Sequence, residues 1–341
     1  MENQIALVQS KHHLTYDEMK RAAIAIFDEA TNEELIISFL TALAEKGETA
    51  TEIAALVDVM TKQAIQLPIL EAVDYIDNCG TGGDGLQSFN ISTASAFVLA
   101  AAGLKVAKHG NRKVSSASGS ADILEELGLP NNLTPKQLSE SLTKENLAFI
   151  FAPTVHPKLK RIGQIRAQIG KPTIFNLVGP LANPVPLSYQ LTGINRPDFV
   201  VEYAEVMKKL GRKRALIISG EDGMDEASLY GQTTCTLLDQ NELISFTITA
   251  EEVGLQSYPK EAIRGGTPSE NARILREIFQ GQRNAYFEAV AFNAGLALYT
   301  ANHATTIQQG VKMAVDILLS GKAYDKLVAM IHYNEQLEVA Q

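Results

Sequence analysis

The chain predicts an α/β protein in two parts: a small helical domain, then a larger α/β domain with a mostly parallel central sheet. Three observations predict it. Helix-opening signatures repeat through the first 65 or so residues, short apolar runs alternate with helical stretches from Val73 onward, and 341 residues exceed the usual span of one hydrophobic core. The expected division is a helical domain over 1–70, joined by part of 160–190, and an α/β domain over 71–341.

The first elements are helices opened by Thr15 with Glu18, Thr31 with Glu34, and Thr49 with Glu52. In such capping boxes, hydroxyl and carboxylate satisfy the free amides of a first turn. Apolar residues then recur at helical spacing, as in Leu35, Phe39 and Leu43, and the Met19, Ala23 and Ile26 stripe reads as core or partner surface. Beyond the boundary, strands are predicted over 73–78, 105–107, 148–151, 173–177 and 215–219. Helices are predicted over 92–102, 120–127 and 199–210, with Gly103, Gly128 and Gly211 as their stops. Two β-rich runs within 233–249 flank Asp239-Gln-Asn-Glu242 as a hairpin, and the end returns to helix, with 285–300 and 305–319 as candidates.

Composition narrows the function classes. A net charge of −9 argues against general nucleic-acid binding, which needs a basic face to displace counterions. The longest apolar stretch, 94–104, is broken by Ser95 and Gly103 and is too short to span a bilayer, and the polar start is unlike a signal peptide. A soluble cytoplasmic protein is expected, without membrane partners. Cys79 and Cys235 are far apart and lack metal-ligand spacing, so neither a disulfide framework nor a zinc site is indicated.

Chemistry concentrates at Gly80-Thr-Gly-Gly-Asp84, whose glycines let backbone amides form an anion-binding nest. Gly80, Gly82 and Gly85 also match the dinucleotide pattern G-x-G-x-x-G, but the next strand ends in Lys108, where that pattern wants an acid for a ribose hydroxyl. A cation there suits phosphate. Asn90-Ile-Ser-Thr93 gathers hydroxyls and amides at a helix start, and the run from Lys108 through Arg112 and Lys113 to Ser115, Ser116 and Ser120 adds cations and serines. Asp84 would repel a diphosphate unless a cation or a sugar hydroxyl lay between them, and Asp225-Glu226, after a strand, is the kind of pair that holds Mg²⁺ with its waters. Arg166 offers a planar fork for a carboxylate.

In order and at compatible spacing, these segments resemble the anthranilate phosphoribosyltransferase family. The resemblance rests on Gly80-Thr-Gly-Gly-Asp84, Asn90-Ile-Ser-Thr93, Lys108-His-Gly-Asn-Arg112, Ser116-Ala-Ser-Gly-Ser-Ala-Asp122, Phe175-Asn176, Gly179-Pro-Leu181 and Asp225-Glu226, and covers about residues 10 to 330. It implies the two-domain fold shared with nucleoside phosphorylases and transfer of phosphoribosyl from phosphoribosyl pyrophosphate (PRPP) to anthranilate in tryptophan biosynthesis. It further implies two magnesium ions and a homodimer built through the helical domain. By position, the resemblance assigns PRPP contacts to Gly80, Gly83, Asp84, Ser88, Asn90, Ile91, Ser92, Thr93 and Ser120, and to Lys108, His109, Gly110, Asn111, Arg112, Lys113, Val114, Ser115 and Ser116. Anthranilate contacts fall on Gly80, Asn111 and Arg166, and magnesium positions on Ser92, Asp225 and Glu226. Lys113 and Lys171-Pro172 depart from the family's usual residues, at positions outside its motifs.

The expected chemistry is displacement at the anomeric carbon, with positive charge building on the ring as diphosphate leaves. No residue stands out as a required base; His109 is the one that could assist. Two rivals share the architecture. A pyrimidine nucleoside phosphorylase would not need the Asp225-Glu226 pair or the Lys-His-Gly-Asn-Arg segment, and a non-enzymatic nucleic-acid-binding relative should carry a basic face.

Overall fold

The computed structural model describes residues 1–70, 72–111 and 119–339. Four helices open the chain: α1 (Glu2–Gln9), α2 (Tyr16–Ile26), α3 (Glu33–Lys46) and α4 (Ala50–Gln63). Thr15 and Thr49 form the expected capping boxes with Glu18 and Glu52. The Thr31 box does not form: Asn32 is the N-cap of α3, and its side chain accepts from the Glu34 amide. Asparagine is at least as good a cap as threonine, and here it stands one residue closer to the helix.

The larger part runs β1 (Tyr75–Asp77), α5 (Ile91–Ala101), β2 (Lys105–Gly110), α6 (Ser120–Glu126), α7 (Pro135–Lys144), β3 (Leu147–Phe151), α8 (Ala152–Val155) and α9 (Leu159–Ile169). It continues with β4 (Leu187–Gly193), α10 (Val200–Lys209), β5 (Arg214–Ser219), β6 (Thr233–Asp239) and β7 (Glu242–Ile248). Helices α11 (Pro268–Phe279), α12 (Ala285–Thr300), α13 (Ile307–Leu319) and α14 (Lys322–Val339) complete it. No helix among the described residues is long and apolar enough to cross a membrane.

One predicted strand is corrected. Residues 173–177 form only a 3-10 turn, Ile174–Asn176, in which the Asn176 side chain accepts from the Thr173 amide at 3.0 Å. The strand is β4 instead, where Ser188, Gln190 and Thr192 dilute the apolar pattern. Gln190 is nonetheless fully buried, because its amide donates to the Pro180 carbonyl at 2.7 Å. Helices α7 and α11 were not predicted, although Thr134 with Gln137 and Thr267 with Glu270 repeat the capping box, each with proline following.

Among the described residues the seven strands lie in the order β3-β2-β1-β4-β5-β6-β7. The first five are mutually parallel and β6 and β7 add an antiparallel hairpin. Its two-residue turn, Gln240-Asn241, takes positive φ at both positions, which matches the right-handed twist of the strands. Strand β5 shows how the sheet divides the interior: Leu216 and Ile218 join α5, α12 and α13 on one face, while Ala215 and Ile217 join α10 and the helices α1–α4 on the other. Ile162 and Ile165 of α9 and Ile174 and Phe175 of the 3-10 turn belong to that second core. The chain leaves β1 for β2 on one side and returns to β4 on the other, so the C-terminal ends of β1 and β4 form the switch point where open α/β sheets bind ligands.

Candidate active site

A cavity of about 310 Å³ opens over that switch point. Its floor is the turn after β1. The Thr81 amide donates to the Gly193 carbonyl at the end of β4 (2.9 Å), and the Gly82 amide to Asp225 Oδ2 (2.7 Å). Gly82 and Gly83 have φ of 69° and 82°, a region closed to most side chains. Gly80 and Gly193 are required for a different reason: a Cβ on either would collide with Asp225.

Asn90, Ile91 and Ser92 at the N-terminus of α5 form one wall. Strand β2 brings Lys108, only 1% exposed, so that its ammonium donates to Ser92 Oγ at 3.2 Å. A buried cation beside a helix N-terminus is a strong attractor for a phosphate group. Behind β2, the fully buried Asp77 accepts from the His109 amide (3.3 Å) and from Asn183 Nδ2 (3.0 Å). His109 Nδ1 lies 3.0 Å from the Gly179 carbonyl, so the neutral ring donates there and leaves Nε2 as an acceptor. Burial, with His156 nearby, pushes the His109 pKa down to about 3.

Acidic groups gather in the same cavity, with Glu226 beside Ser92 and Lys108. Burial, and then the neighbouring Asp84 carboxylate, push Asp225 up to about 7, and burial with Asp225 pushes Glu226 well above the usual carboxylate range. Among the described residues no three His, Cys, Asp or Glu side chains form a group able to hold a metal by themselves. Crowded carboxylates that resist ionisation nevertheless fit a hydrated Mg²⁺ shared with a diphosphate, which would relieve both their repulsion and their desolvation.

The remaining wall comes from α9 and the 3-10 turn. Arg166 Nη2 donates to Asn176 Oδ1 at 2.9 Å, and the guanidinium lies 6.0 Å from the centre of the Phe175 ring. Asp84 Oδ2, His109 Nε2 and Arg166 Nε are all buried without a hydrogen-bond partner among the described residues. Such atoms are costly unless a ligand completes them, and all three residues line this one cavity.

Of the residues singled out from the sequence, Gly80, Gly83, Asp84, Ser88, Asn90, Ile91, Ser92, Lys108, His109, Gly110, Asn111, Ser120, Arg166, Asp225 and Glu226 line the cavity. Thr93 is fully buried behind the wall, where its hydroxyl donates to Ser120 Oγ at 3.3 Å. Arg112, Lys113, Val114, Ser115 and Ser116 lie outside the described residues. Sequence reasoning missed Ala152 and Phe89 in the lining, and Asp77 and Gly193 beneath it. Ala152 follows the end of β3 directly, and that position was the only available signal.

The profile of a glycosyl transferase family α/β domain matches residues 72–324, and that of the family's helical bundle domain matches residues 5–64. Anthranilate phosphoribosyltransferase of Exiguobacterium sibiricum is 47% identical over 336 residues, covering 98% of this chain and 99% of the relative. That of Listeria monocytogenes is 48% identical over 337 residues, with 99% of each chain covered. Among solved structures, the Thermus thermophilus anthranilate phosphoribosyltransferase superposes with a TM-score of 0.90 at 34% identity, over 97% of this chain and 98% of that one. The Saccharomyces cerevisiae enzyme in complex with PRPP and Mg gives 0.88 at 25% identity, over 98% and 99% of the two chains.

Proposed function

Because this chain belongs to the anthranilate phosphoribosyltransferase family, we propose how its own residues carry the family reaction. That reaction transfers the phosphoribosyl group of PRPP to the amine of anthranilate, giving N-(5-phosphoribosyl)anthranilate and diphosphate, a step of tryptophan biosynthesis. In our reading, PRPP occupies the side of the cavity lined by Gly80, Gly83, Asp84, Ser88, Asn90, Ile91, Ser92, Lys108 and Ser120, and anthranilate the side of Arg166, Asn111 and Gly80. The run His109 to Ser116 completes the PRPP set, with Thr93 supporting it through Ser120.

Lys108 and the N-terminus of α5 stabilise the departing diphosphate, where negative charge grows as the bond to the anomeric carbon lengthens. Arg166, oriented by Asn176, grips the anthranilate carboxylate and so aims the amine at that carbon. The neutral His109 Nε2 accepts a hydrogen bond and, with so low a pKa, keeps no proton, so the proton of the alkylated amine passes to water or diphosphate. Ser92, Asp225 and Glu226 would hold magnesium, which supplies charge neutralisation to the diphosphate when bound; the yeast relative is described with PRPP and Mg, and two ions are our proposal. We further propose a division into residues 1–70 with part of 160–190 and residues 71–341, and a cytoplasmic homodimer paired through the helical domain, on whose surface Tyr16 and Ile24 are exposed.

The observation that carries this assignment of residues is the convergence on one cavity, beside the buried Lys108, of three buried polar atoms that have no hydrogen-bond partner among the described residues. Mixing protein, anthranilate, PRPP and magnesium should consume the anthranilate fluorescence. Replacing Asp225→Asn together with Glu226→Gln should cost at least ~100-fold in magnesium-dependent turnover while folding survives. Full activity in that double variant would sink the metal assignment.

A further inference from the structure

The loop that carries Ser88 and Asn90 is braced by a distant part of the chain. It lies against a segment nearly two hundred residues further along the chain, in which the Phe89 amide donates to the Ile263 carbonyl at 3.0 Å and the Gly265 amide to the Gln87 carbonyl at 2.8 Å. Ser88 and Arg264 form an isolated antiparallel bridge between the two. The approach is so close that a Cβ on Gly265 would come within 3.0 Å of Phe89 Cα and of the Ser88 carbonyl oxygen. The ribbon ends in the first turns of α11, where Asn271, 1% exposed, accepts from the Gly266 amide (2.8 Å) and donates through Nδ2 to Asn90 Oδ1 (2.9 Å).

We propose that Asn271 is a positioning residue for PRPP, fixing the Asn90 side chain and through it the N-terminus of α5 against the 263–266 ribbon. The geometry is selective. A carboxamide is the only common side chain of this length that can accept from Gly266 and donate to Asn90 at the same time. Fixing Asn90 through a helix packed in the main core spares the ligand the cost of ordering it, which raises affinity without adding a contact. The inference rests on the reading of Asn90 as a PRPP contact.

Asn271→Asp separates the two bonds, since it keeps an acceptor for Gly266 but turns an oxygen toward Asn90 Oδ1. It should raise KM for PRPP about tenfold and leave KM for anthranilate within about twofold. The rise in Tm that magnesium and PRPP give, measured against each variant's own unliganded value, should shrink in Asn271→Asp and in Asn271→Ala. Unchanged PRPP affinity, or equal losses for both substrates, would overturn the proposal, and so would failure of both variants to fold, since Asn271 would then serve the fold alone. Asn90→Ala is the control. If it binds PRPP as the parent does, the site assignment fails rather than the role of Asn271.

Discussion

At the scale of single residues, the site depends on groups that burial keeps from their ordinary behaviour. His109 is the clearest: its pKa lies near 3 because the ring is buried beside His156, and the Gly179 carbonyl fixes the tautomer. Its neutral form therefore contributes stability that is present above the ordinary value of 6.5 and is lost as pH falls toward 3. We expect the His109 ring resonances to stay flat between about pH 5 and 8 in an NMR titration; a midpoint inside that window would contradict the buried, neutral ring. Arg166→Ala should raise KM for anthranilate by about 100-fold and KM for PRPP by much less, and Asn176→Ala should follow the same direction more weakly. Equal effects on both substrates would refute the carboxylate grip. That Arg166, Lys108 and the Asp225-Glu226 pair line one cavity was legible in the sequence because charged side chains beside glycine turns and strand ends stand out there. Gly193 and Asn271 were not, since each is ordinary until the fold brings a distant partner to it.

At the scale of elements, two helical glycines make opposite predictions. Gly163 lies on the exposed side of α9 with ordinary backbone and open space around its Cβ position, so Gly163→Ala should stabilise by about 0.5–1 kcal/mol. Gly295 sits where α12 crosses α13, and a Cβ there would overlap Val311, so Gly295→Ala should destabilise by about 1–3 kcal/mol. Chemical denaturation of both variants checks the pair, and the same sign for both would remove the packing argument. The elements themselves were readable wherever local signals were strong, as at the Thr15 and Thr49 boxes, the stops at Gly103, Gly128 and Gly211, which all take positive φ, and the β6-β7 hairpin. The errors came where tertiary contacts outweighed propensity. Ile174 and Phe175 look like strand residues but are buried in the helical core, and β4 hides its character behind a glutamine satisfied by the Pro180 carbonyl and the Arg212 guanidinium.

At the scale of the whole molecule, strand order explains why residues from 80 to 226 meet at all: β1, β2, β4 and β5 deliver their C-terminal ends to one edge of the sheet. That convergence costs stability. Asp225, raised from 3.8 to about 7, favours folding in its protonated form, so its contribution is present at low pH and is lost as pH rises through that interval. His109 acts in the opposite sense over an overlapping range, so the parent's stability curve alone does not isolate either group. The comparison that does is Asp225→Asn against the parent without magnesium: the variant should gain Tm relative to the parent as pH rises from about 4 to 7. A difference independent of pH would dismiss the buried-carboxylate account. The sequence predicted the two-part architecture correctly but not how the halves share the cavity, because that follows from which face of the sheet each wall packs on. Arg166, Phe175 and Asn176 hang from the core beside the helical bundle, while Asn90, Ser92 and Lys108 hang from β2 and α5. For a protein engineer, the proposed assignment makes Phe175 and Asn176, which flank Arg166, the first positions to vary in a search for other aromatic amines.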